Sequence, residues 1–600
     1  MASITERVPN LWRYVGIVMV VLYAAMTVVD WKFSMAILPL VIVLVGMVAF
    51  KQSGATMAVV GWVLAVLLAV LAFHTDWRVA MLGSVEGLLK SLSIGVAVLF
   101  TMYLIFYMKE DGLLATVSSS LKRVAKDKED QALFIGIGFG TMATSLGLVT
   151  PSMFPPLMIA MGFSPFSAVV ISVLGYNAST SFALLSLPIT LPADTSSTLL
   201  GPVHAFTDIA FAYKICLYLP IVSIAISIAM LYVVGGMKSV RKGIAPAILV
   251  GGAVAFSCLG LVGYQNSTGH TLVPLRIVGV VAGLLSMFVL YGYMVALERM
   301  RGKRDSPTTG TNAGAAETAG AAGTAEAAGA PATKPDPIDW KATVRAYSPL
   351  IFVTVLAAVV GIQKVSNWLN DIPGAFEQVH LFSNPGKFVD LNILSQIYTW
   401  LIVSILITIL LLRPKREVLA RTNRIWFKRI WSPFVAYSVY FAIAYVMAYS
   451  AMTLGGTSGW KLIPTEWYAD YNMNGVLAAG LAAAFGAGYL WIASSLGLFG
   501  AIVGGSETGS NVLFMKIQYS TATSAEVGLN DSEFLTMFGG HAAAGGVASA
   551  ITPSKINNAV ATIGEGPALE AAVMRKLIVV TLVITVIINL LTGLFVMVGL

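Results

Sequence analysis

The chain has 600 residues, of which 57% are hydrophobic and only 11% are charged. About a quarter of the residues of a soluble globular domain are charged, so this composition excludes an ordinary soluble fold. The net charge of +8 does not indicate a nucleic-acid partner, because Lys and Arg gather in short loops beside apolar stretches. We therefore expect this chain to lie in a lipid bilayer.

Apolar runs of about 20 residues, the length that crosses a bilayer core, recur along the whole chain. Not all of them need to cross. Roughly fifteen such runs lie near 12–30, 33–50, 56–73, 80–108, 131–161, 166–190, 209–235, 244–263, 274–298, 347–363, 391–412, 431–453, 472–503, 534–562 and 574–600. The sequence therefore predicts an all-α polytopic membrane protein with about 12–15 membrane segments.

The charges of the loops predict how the chain is oriented. Basic residues cluster near 122–128, 238–242, 299–304 and 413–429, and the positive-inside rule makes these loops cytoplasmic. Few basic residues occur in the loops expected outside, which lie near 191–208, 264–273, 364–390 and 454–471. The N-terminus, with Arg7 and Arg13, is then inside and the C-terminus outside.

In the first half, a polar segment with several prolines interrupts an apolar run. Thr144, Ser145 and Thr150 precede the prolines between Pro151 and Pro156, where a helix must break. A second polar cluster, at 177–181, contains Asn177, Ser179 and Thr180. We expect all six polar side chains to contact a ligand. Close helix packing through small hydroxylated residues is the alternative for the second cluster.

One low-complexity stretch divides the chain. Residues 305–337 consist mainly of Ala, Gly, Thr, Glu and Pro, which cannot bury enough apolar surface to offset their ordering entropy. We predict a disordered cytoplasmic linker within 299–345. It separates a first transmembrane repeat, 79–298, from a second, 346–600, and residues 1–78 are predicted to be peripheral membrane helices.

In the second half, a Gly-rich segment places polar groups deep in an apolar run. It contains Ser506, Glu507, Thr508 and Asn511 between glycines. Non-helical backbone at membrane depth persists only where protein or a watery cavity covers it, and a central carboxylate costs roughly 2.5–3.5 kcal/mol on insertion scales. We expect Ser506, Thr508 and Asn511 to bind substrate. Glu507 is expected to carry the coupling cation, and the alternative is that Glu507 is a structural partner of Lys555 or His541.

A second polar segment of this half follows between His541 and Lys555. Thr552 or Ser554 is placed to cap the helix that carries Lys555, and a helix N-terminus attracts anions. We expect these three residues to bind an anionic substrate and His541 to assist the cation, since its intrinsic pKa is near neutral. Snorkelling to the interface is the alternative for Lys555, and a hydrogen-bonded structural role is the alternative for His541.

The broken segments of the two halves have opposite predicted orientations. The first broken segment follows an inside loop and the second follows an outside loop. Paired breaks of opposite orientation are typical of inverted repeats that enclose a midplane site. The sequence thus predicts two inverted-topology repeats, each with a broken helix or re-entrant hairpin.

These residues resemble the lactate permeases of bacteria and archaea. Gly500–Phe514 is similar to that family's G-x-x-x-x-G-S-D-T-x-S-N-x-L-F segment, and the order of Gly545, Pro553 and Gly564 follows it downstream. The resemblance spans most of 80–600. Two places differ: the first-half segment lacks the family's acidic residue, and Lys555 stands where a neutral amide is common.

The resemblance implies a secondary transporter in a prokaryotic cell membrane. Its substrate would be lactate, glycolate or a related 2-hydroxymonocarboxylate, imported with a proton or a sodium ion. A sulfonated or dicarboxylic acid is the alternative substrate. Oligomerisation is left open.

Two other classes of protein compete with this interpretation. One is a membrane enzyme with His541 as base and Ser506 or Ser510 as nucleophile, and the other is a passive anion channel. The sequence has no P-loop, dinucleotide fingerprint or metal-ligand spacing in a loop where it could act, so no cofactor or metal is expected.

Overall fold

The protein is mainly α-helical in the part of the chain that the computed structural model describes. That part comprises residues 30–48, 50, 52, 54–125, 127–147, 150–304, 339–372, 378–384, 387–456, 459–504 and 506–600. The predicted linker at 305–337, Arg7, Arg13 and nearly all of the first apolar run lie outside these residues.

The helices before the linker are short or interrupted in the region of the predicted breaks. They are α1 Trp31–Val48, α2 Gly54–Leu71, α3 Trp77–Glu110, α4 Leu113–Val124, α5 Lys128–Ala132, α6 Gly140–Ser145, α7 Thr150–Ala160, α8 Pro165–Leu174, α9 Ala183–Leu199, α10 Asp208–Cys216, α11 Leu219–Thr268 and α12 Val278–Arg304. A π-helix, Leu133–Phe139, precedes α6, and 3₁₀ segments cover Gly175–Phe182, Pro202–His204 and Leu275–Ile277.

Beyond the linker, helices again alternate with 3₁₀ segments. They are α13 Trp340–Gly361, α14 Gln363–Asn370, α15 Ile397–Leu412, α16 Arg416–Arg429, α17 Trp431–Ala448, α18 Tyr468–Tyr471, α19 Met473–Phe485, α20 Ser494–Gly504, α21 Glu507–Ala522, α22 Asp531–Ala548, α23 Pro553–Thr562 and α24 Pro567–Met597. The 3₁₀ segments are Gly486–Trp491 and Ser549–Ile551.

The predicted all-α membrane architecture is confirmed. Among the described residues, 6 helices are long and apolar enough to cross a membrane, or up to 8 if each of two bent pairs forms one span. One of these bent pairs joins Pro165–Ser179 to Ala183–Leu199 at an angle of 50°. Shorter apolar helical stretches of 10–17 residues lie within α1, α2, α15 and α17.

Two short β-hairpins lie in loops that the sequence analysis assigned to the outer side. Strands β1 Gln378–Val379 and β2 Val389–Asp390 pair antiparallel, as do β3 Met452–Gly455 and β4 Lys461–Pro464. Asn384 joins the hairpins: its amide donates to the Leu462 carbonyl at 3.0 Å, and its carbonyl accepts from the Leu462 N–H at 2.7 Å. These loops are therefore ordered against each other.

The N-terminal helices rest on the second half of the chain. Helix α2 packs against α17, and α1 packs against α19. Their shared apolar core includes Leu40, Phe73, Tyr440 and Leu477, all fully or almost fully buried. Helix α3 also lies along α17, where Gly87 brings the two backbones together: a Cβ there would be 2.5 Å from the Phe441 carbonyl oxygen.

Two local expectations differ from the structure. The basic stretch near 238–242 is helical rather than a loop, and the chain turns sharply just before it at Gly236, whose φ of 66° and ψ of −157° is a conformation open essentially to glycine. Pro155 and Pro156 lie inside α7. The break comes earlier, between α6 and Thr150, where Gly147 has a φ of 86°.

The same order of elements occurs in both halves. In each, a helix is interrupted and resumes at or just after a hydroxyl residue, Thr150 or Ser506, and a later helix passes through a 3₁₀ segment into another helix. The 3₁₀ segment Gly175–Phe182 contacts α21 and the segment Ser549–Ile551. The interruptions of the two halves therefore meet, while the opposite direction of the two repeats stays a prediction.

A stability prediction arises at the start of α3. Asp76 is the N-cap: its carboxylate accepts from the Arg78 N–H at 2.9 Å and forms an ion pair with the Arg78 guanidinium at 2.7 Å. The Asp76→Ala variant should lose about 1 kcal/mol of stability, measured by thermal unfolding in detergent. Asp371→Ala, at an exposed helix C-terminus, should change little.

The effect of Asp76 should depend on pH. Its hydrogen bond to the Arg78 side chain lowers the pKa of the Asp76 carboxyl below its usual value. A lowered carboxyl pKa stabilises the fold above the unfolded-state value, near 4, and this contribution disappears as the pH falls through the folded value. Equal destabilisation of Asp76→Ala at neutral and strongly acidic pH would contradict the assignment.

Candidate functional site

Helix α21 begins in the protein interior because α20 and α22 cross closely beside it. At the crossing, a Cβ on Gly497 would lie 1.9 Å from the His541 carbonyl oxygen. Glycines at such crossings let helix backbones approach in membranes. Ser506 caps α21, since its hydroxyl accepts from the Gly509 N–H at 3.0 Å. Glu507 is thereby held at the N-terminal end of a buried helix.

The Glu507 carboxylate joins the two halves of the protein. It is 1% exposed, and its Oε1 accepts a hydrogen bond from the Ser181 hydroxyl at 2.5 Å. Among the described residues, Oε2 has no hydrogen-bond partner. A buried polar atom without a partner is costly, and such exceptions usually have an explanation in function.

Asn511 makes a second connection between the halves. One turn after Glu507, its amide nitrogen donates to the Pro188 carbonyl of α9 at 2.9 Å, and no residue in the described part of the chain hydrogen-bonds to its Oδ1. The start of α9 is distorted: Leu184, Leu185 and Ser186 have φ values of 51°, 55° and 66°. Non-glycine residues rarely adopt this left-handed conformation, and runs of it cluster at functional sites.

Buried hydroxyls that have no partner in the described ranges lie at the first-half breaks. They belong to Thr144, Ser145, Thr150 and Ser179. Buried hydroxyls in membrane helices commonly bond a carbonyl of their own helix, as Ser172 does with Ala168 at 2.5 Å. The four unpaired hydroxyls therefore remain available to a polar ligand.

Lys555 approaches the site from α23. Its ammonium donates to the Ser549 hydroxyl, which lies 3.2 Å from the Tyr176 hydroxyl. The ammonium also lies 5.7 Å from the centroid of the Tyr176 ring and interacts electrostatically with Glu507. The Thr552 hydroxyl points to the Ala501 carbonyl at 3.5 Å. Lys555 is thus held where the two 3₁₀ segments meet.

His541 belongs to a hydrogen-bonded network behind α21. Tyr489 donates to Gln518 Oε1 at 2.6 Å, and Gln518 Nε2 is 2.8 Å from both the Ala493 carbonyl and His541 Nδ1. Gln518 therefore donates to Nδ1, so His541 Nε2 carries the proton and donates to Ser510 at 3.2 Å. Both ring nitrogens of a neutral imidazole are satisfied.

This network argues against hydrolase chemistry at Ser510. A serine nucleophile needs a histidine nitrogen that accepts its proton, whereas His541 Nε2 donates and the Ser510 hydroxyl itself donates to the Gly497 carbonyl at 3.0 Å. Both side chains are fully buried.

The remaining predicted residues fall into two groups. Asn177, Ser506 and Thr508 are buried beside the site, although Asn177 also donates to the Val173 carbonyl of the preceding helix α8 at 2.9 Å. The backbones of Thr180 and Ser554 lie in the same segments, but their side chains lie outside the described part. Ser181 belongs to the polar cluster at 177–181, which the sequence predicts to contact a ligand. Tyr176 and Ser549 are not predicted as site residues, because nothing local in the sequence distinguishes them.

The fold and site define the class: a multi-pass helical membrane protein whose broken helices from two halves share a buried, partly unpaired polar centre. The chain belongs to the L-lactate permease family, whose model matches residues 32–599. The family resemblance found in the sequence is thereby confirmed.

Similar proteins support the same membership. An L-lactate permease of Halalkalibacterium halodurans is 22% identical over 540 residues, covering 88% of this chain and 90% of the relative. One of Bacillus subtilis is 23% identical over 558 residues, with the same coverage. The Escherichia coli glycolate permease GlcA is 21% identical over 327 residues, covering 54% of each chain.

Proposed function

We propose that this protein imports a small 2-hydroxymonocarboxylate, such as lactate or glycolate, by symport with a proton. The observation that supports the proposal best is the hydrogen bond between Glu507 of one half and Ser181 of the other. A site shared by two halves can open to either side of the membrane when the halves move against each other. The direction of transport and the inverted topology are part of this proposal.

The substrate class follows from the chemistry around Glu507. A 2-hydroxy acid offers a carboxylate and one hydroxyl, which match an ammonium, several hydroxyls and a side-chain amide. We assign substrate contact to Thr144, Ser145, Thr150, Asn177, Ser179, Thr180, Ser506, Thr508, Asn511, Thr552, Ser554 and Lys555. The names of the relatives, lactate and glycolate permeases, support this class.

The coupling ion is proposed to be a proton on Glu507. This carboxylate has one oxygen in a hydrogen bond and one oxygen with no partner among the residues that the structure describes, so it can accept one proton without displacing any of them. Ionisable residues at membrane depth commonly serve as proton relays. We also propose that His541, which is hydrogen-bonded to Ser510 of α21, supports this helix and assists the proton. Sodium is the alternative ion.

Transport by purified protein in proteoliposomes tests the proposal. Radiolabelled L-lactate or glycolate should enter with saturable kinetics and accumulate when an inward proton gradient is imposed. An equal sodium gradient at constant pH should give no accumulation. Linear, non-saturating flux would indicate a channel, and absence of uptake of either acid would contradict the proposed substrate.

A variant of Ser181 tests the contact between the halves. Ser181→Ala removes a hydrogen bond to a buried carboxylate, which is worth about 1.5–3 kcal/mol, so proton-driven uptake should fall at least about tenfold. Ser172→Ala, a buried serine bonded within its own helix, is the matched control and should transport normally. Equal uptake by both variants would remove Glu507–Ser181 from the mechanism.

Lys555 is the feature that favours another organic anion. An added ammonium also suits a sulfonate or the second carboxylate of a dicarboxylic acid. Competition with a panel of small sulfonates and dicarboxylates against labelled lactate distinguishes these substrates, because the preferred anion inhibits uptake at the lowest concentration.

A further inference from the structure

Two groups of opposite charge act on each other at the junction of the two halves. Glu507 is almost completely buried at the start of α21, and Lys555 is its electrostatic partner from α23. Glu507 reaches the first half through the hydrogen bond from Ser181 to its Oε1, and its Oε2 has no partner among the described residues. An anion and a proton that enter here therefore meet an existing pair of charges.

The ammonium of Lys555 is fixed in place by residues from both halves. Ser549 accepts its hydrogen bond, and the Tyr176 hydroxyl lies 3.2 Å from Ser549. Ser549 is fully buried and Tyr176 is 4% exposed. Lys555 itself is half-buried, whereas the two residues that anchor it are almost completely buried.

The other titratable groups near Glu507 are neutral or interact with residues other than Glu507. His541 on α22 is neutral by its hydrogen bonds to Gln518 and Ser510. Asp194, further along α9, interacts with Lys90 and Arg276. The Tyr176 hydroxyl faces Ser549. Among the described residues, Glu507 and Lys555 therefore set the net charge of the centre.

The charge of each transport state follows from this pair. With the site empty, the carboxylate and the ammonium cancel. With an anion bound and Glu507 protonated, the anion and the ammonium cancel. An anion without the proton, or a proton without the anion, leaves one net charge in a poorly solvated centre, which is costly.

We propose that Lys555 is the fixed counter-charge of the transport site. When substrate binds, Lys555 pairs with the substrate carboxylate instead of with Glu507, so anion binding and protonation of Glu507 occur together. The inference rests on the proposed function and assigns the Tyr176–Ser549 pair as the anchor of Lys555. In this mechanism the substrate carboxylate pairs with Lys555, which is the electrostatic partner of Glu507 in the empty site. A proton then neutralises the Glu507 carboxylate that has lost this partner. Both states that cross the membrane are electroneutral at the site.

The first test separates exchange of the anion from its coupling to protons. In proteoliposomes, Glu507→Gln should keep exchange of labelled for unlabelled L-lactate within about threefold of wild type, because its empty site still carries the ammonium. Its proton-driven accumulation should fall at least tenfold. Lys555→Gln should lose both activities at least tenfold, and Lys555→Arg should recover part of each. Lys576→Gln, whose ammonium lies over Tyr232 at 4.2 Å, is the control and should keep both.

A second readout needs no substrate. Infrared difference spectroscopy of the purified protein in lipid follows the band of the protonated Glu507 carboxyl, identified by its loss in Glu507→Gln. In Lys555→Gln this band should persist to more alkaline pH than in wild type, by at least one pH unit, because the compensating positive charge is gone. Lys576→Gln should match wild type and shows that the shift is local.

The outcomes distinguish the two levels of the proposal. If wild type fails to transport lactate or glycolate while the carboxyl band shifts as expected, the proposed substrate is wrong and the charge pair stands. If wild type transports but Lys555→Gln accumulates lactate normally, or its carboxyl band is unchanged, Lys555 is not the counter-charge. Loss of exchange by a well-folded Glu507→Gln protein would also overturn the inference.

Discussion

Gly497→Ala should prevent normal packing of the helices that carry Glu507 and His541. The added Cβ would lie 1.9 Å from the His541 carbonyl oxygen and 2.7 Å from its carbonyl carbon. Both atoms belong to a helix backbone, so neither can move aside as a flexible side chain would. Overpacking typically costs about 1–3 kcal/mol and can cost more. We expect a clear fall in melting temperature and in the yield of monodisperse protein in detergent.

Gly260→Ala is the matched control for this experiment. Gly260 also lies within a helix, but a Cβ there would meet no other atom within 4 Å. Alanine is favoured over glycine inside helices by up to about 1 kcal/mol, so this variant should be as stable as wild type or slightly more stable. A Gly497→Ala protein with an unchanged melting temperature would show that the α20–α22 crossing is looser than described.

Asn511→Ala should reduce transport strongly while leaving a folded protein. The substitution removes the hydrogen bond to the Pro188 carbonyl and the unpartnered Oδ1 beside Glu507. Leaving a buried carbonyl unsatisfied costs about 1–3 kcal/mol, and losing the proposed substrate contact adds to it. Initial uptake of labelled lactate at subsaturating concentration should fall at least about tenfold.

Asn589→Ala separates this effect from a general loss of stability. Asn589 is also buried, donates to the Ser495 hydroxyl at 2.7 Å and has an unpartnered Oδ1, but it lies on α24 away from Glu507. The two variants should have comparable melting temperatures, and only Asn511→Ala should lose uptake. Similar losses in both would assign Asn511 to packing.

In the second half, the sequence predicts that the helix breaks over residues 506–511, whereas α20 ends at Gly504 and α21 already begins at Glu507, so the location of the break was predictable but its length was not. Glycines flank Ser506, Glu507 and Asn511, and polar side chains in an apolar run leave few alternatives to an interruption of the helix. The first half was harder to predict. Its prolines are visible in the sequence, yet Pro155 and Pro156 lie inside α7, and the break falls at Gly147 and at the distorted start of α9. Gly147 has a positive φ, which glycine adopts without steric cost.

Composition, apolar length and loop charge determined by themselves that this chain is a helical membrane protein with polar breaks in both halves, since each of these properties is local in sequence. Only the tertiary structure decided which polar groups meet. The Glu507–Ser181 and Tyr176–Ser549 contacts depend on how helices more than 300 residues apart in the sequence pack, and close glycine contacts such as Gly539 with the Lys214 backbone bring the two halves together. Helix packing in lipid is governed by shape complementarity between small residues, which no single segment of sequence contains.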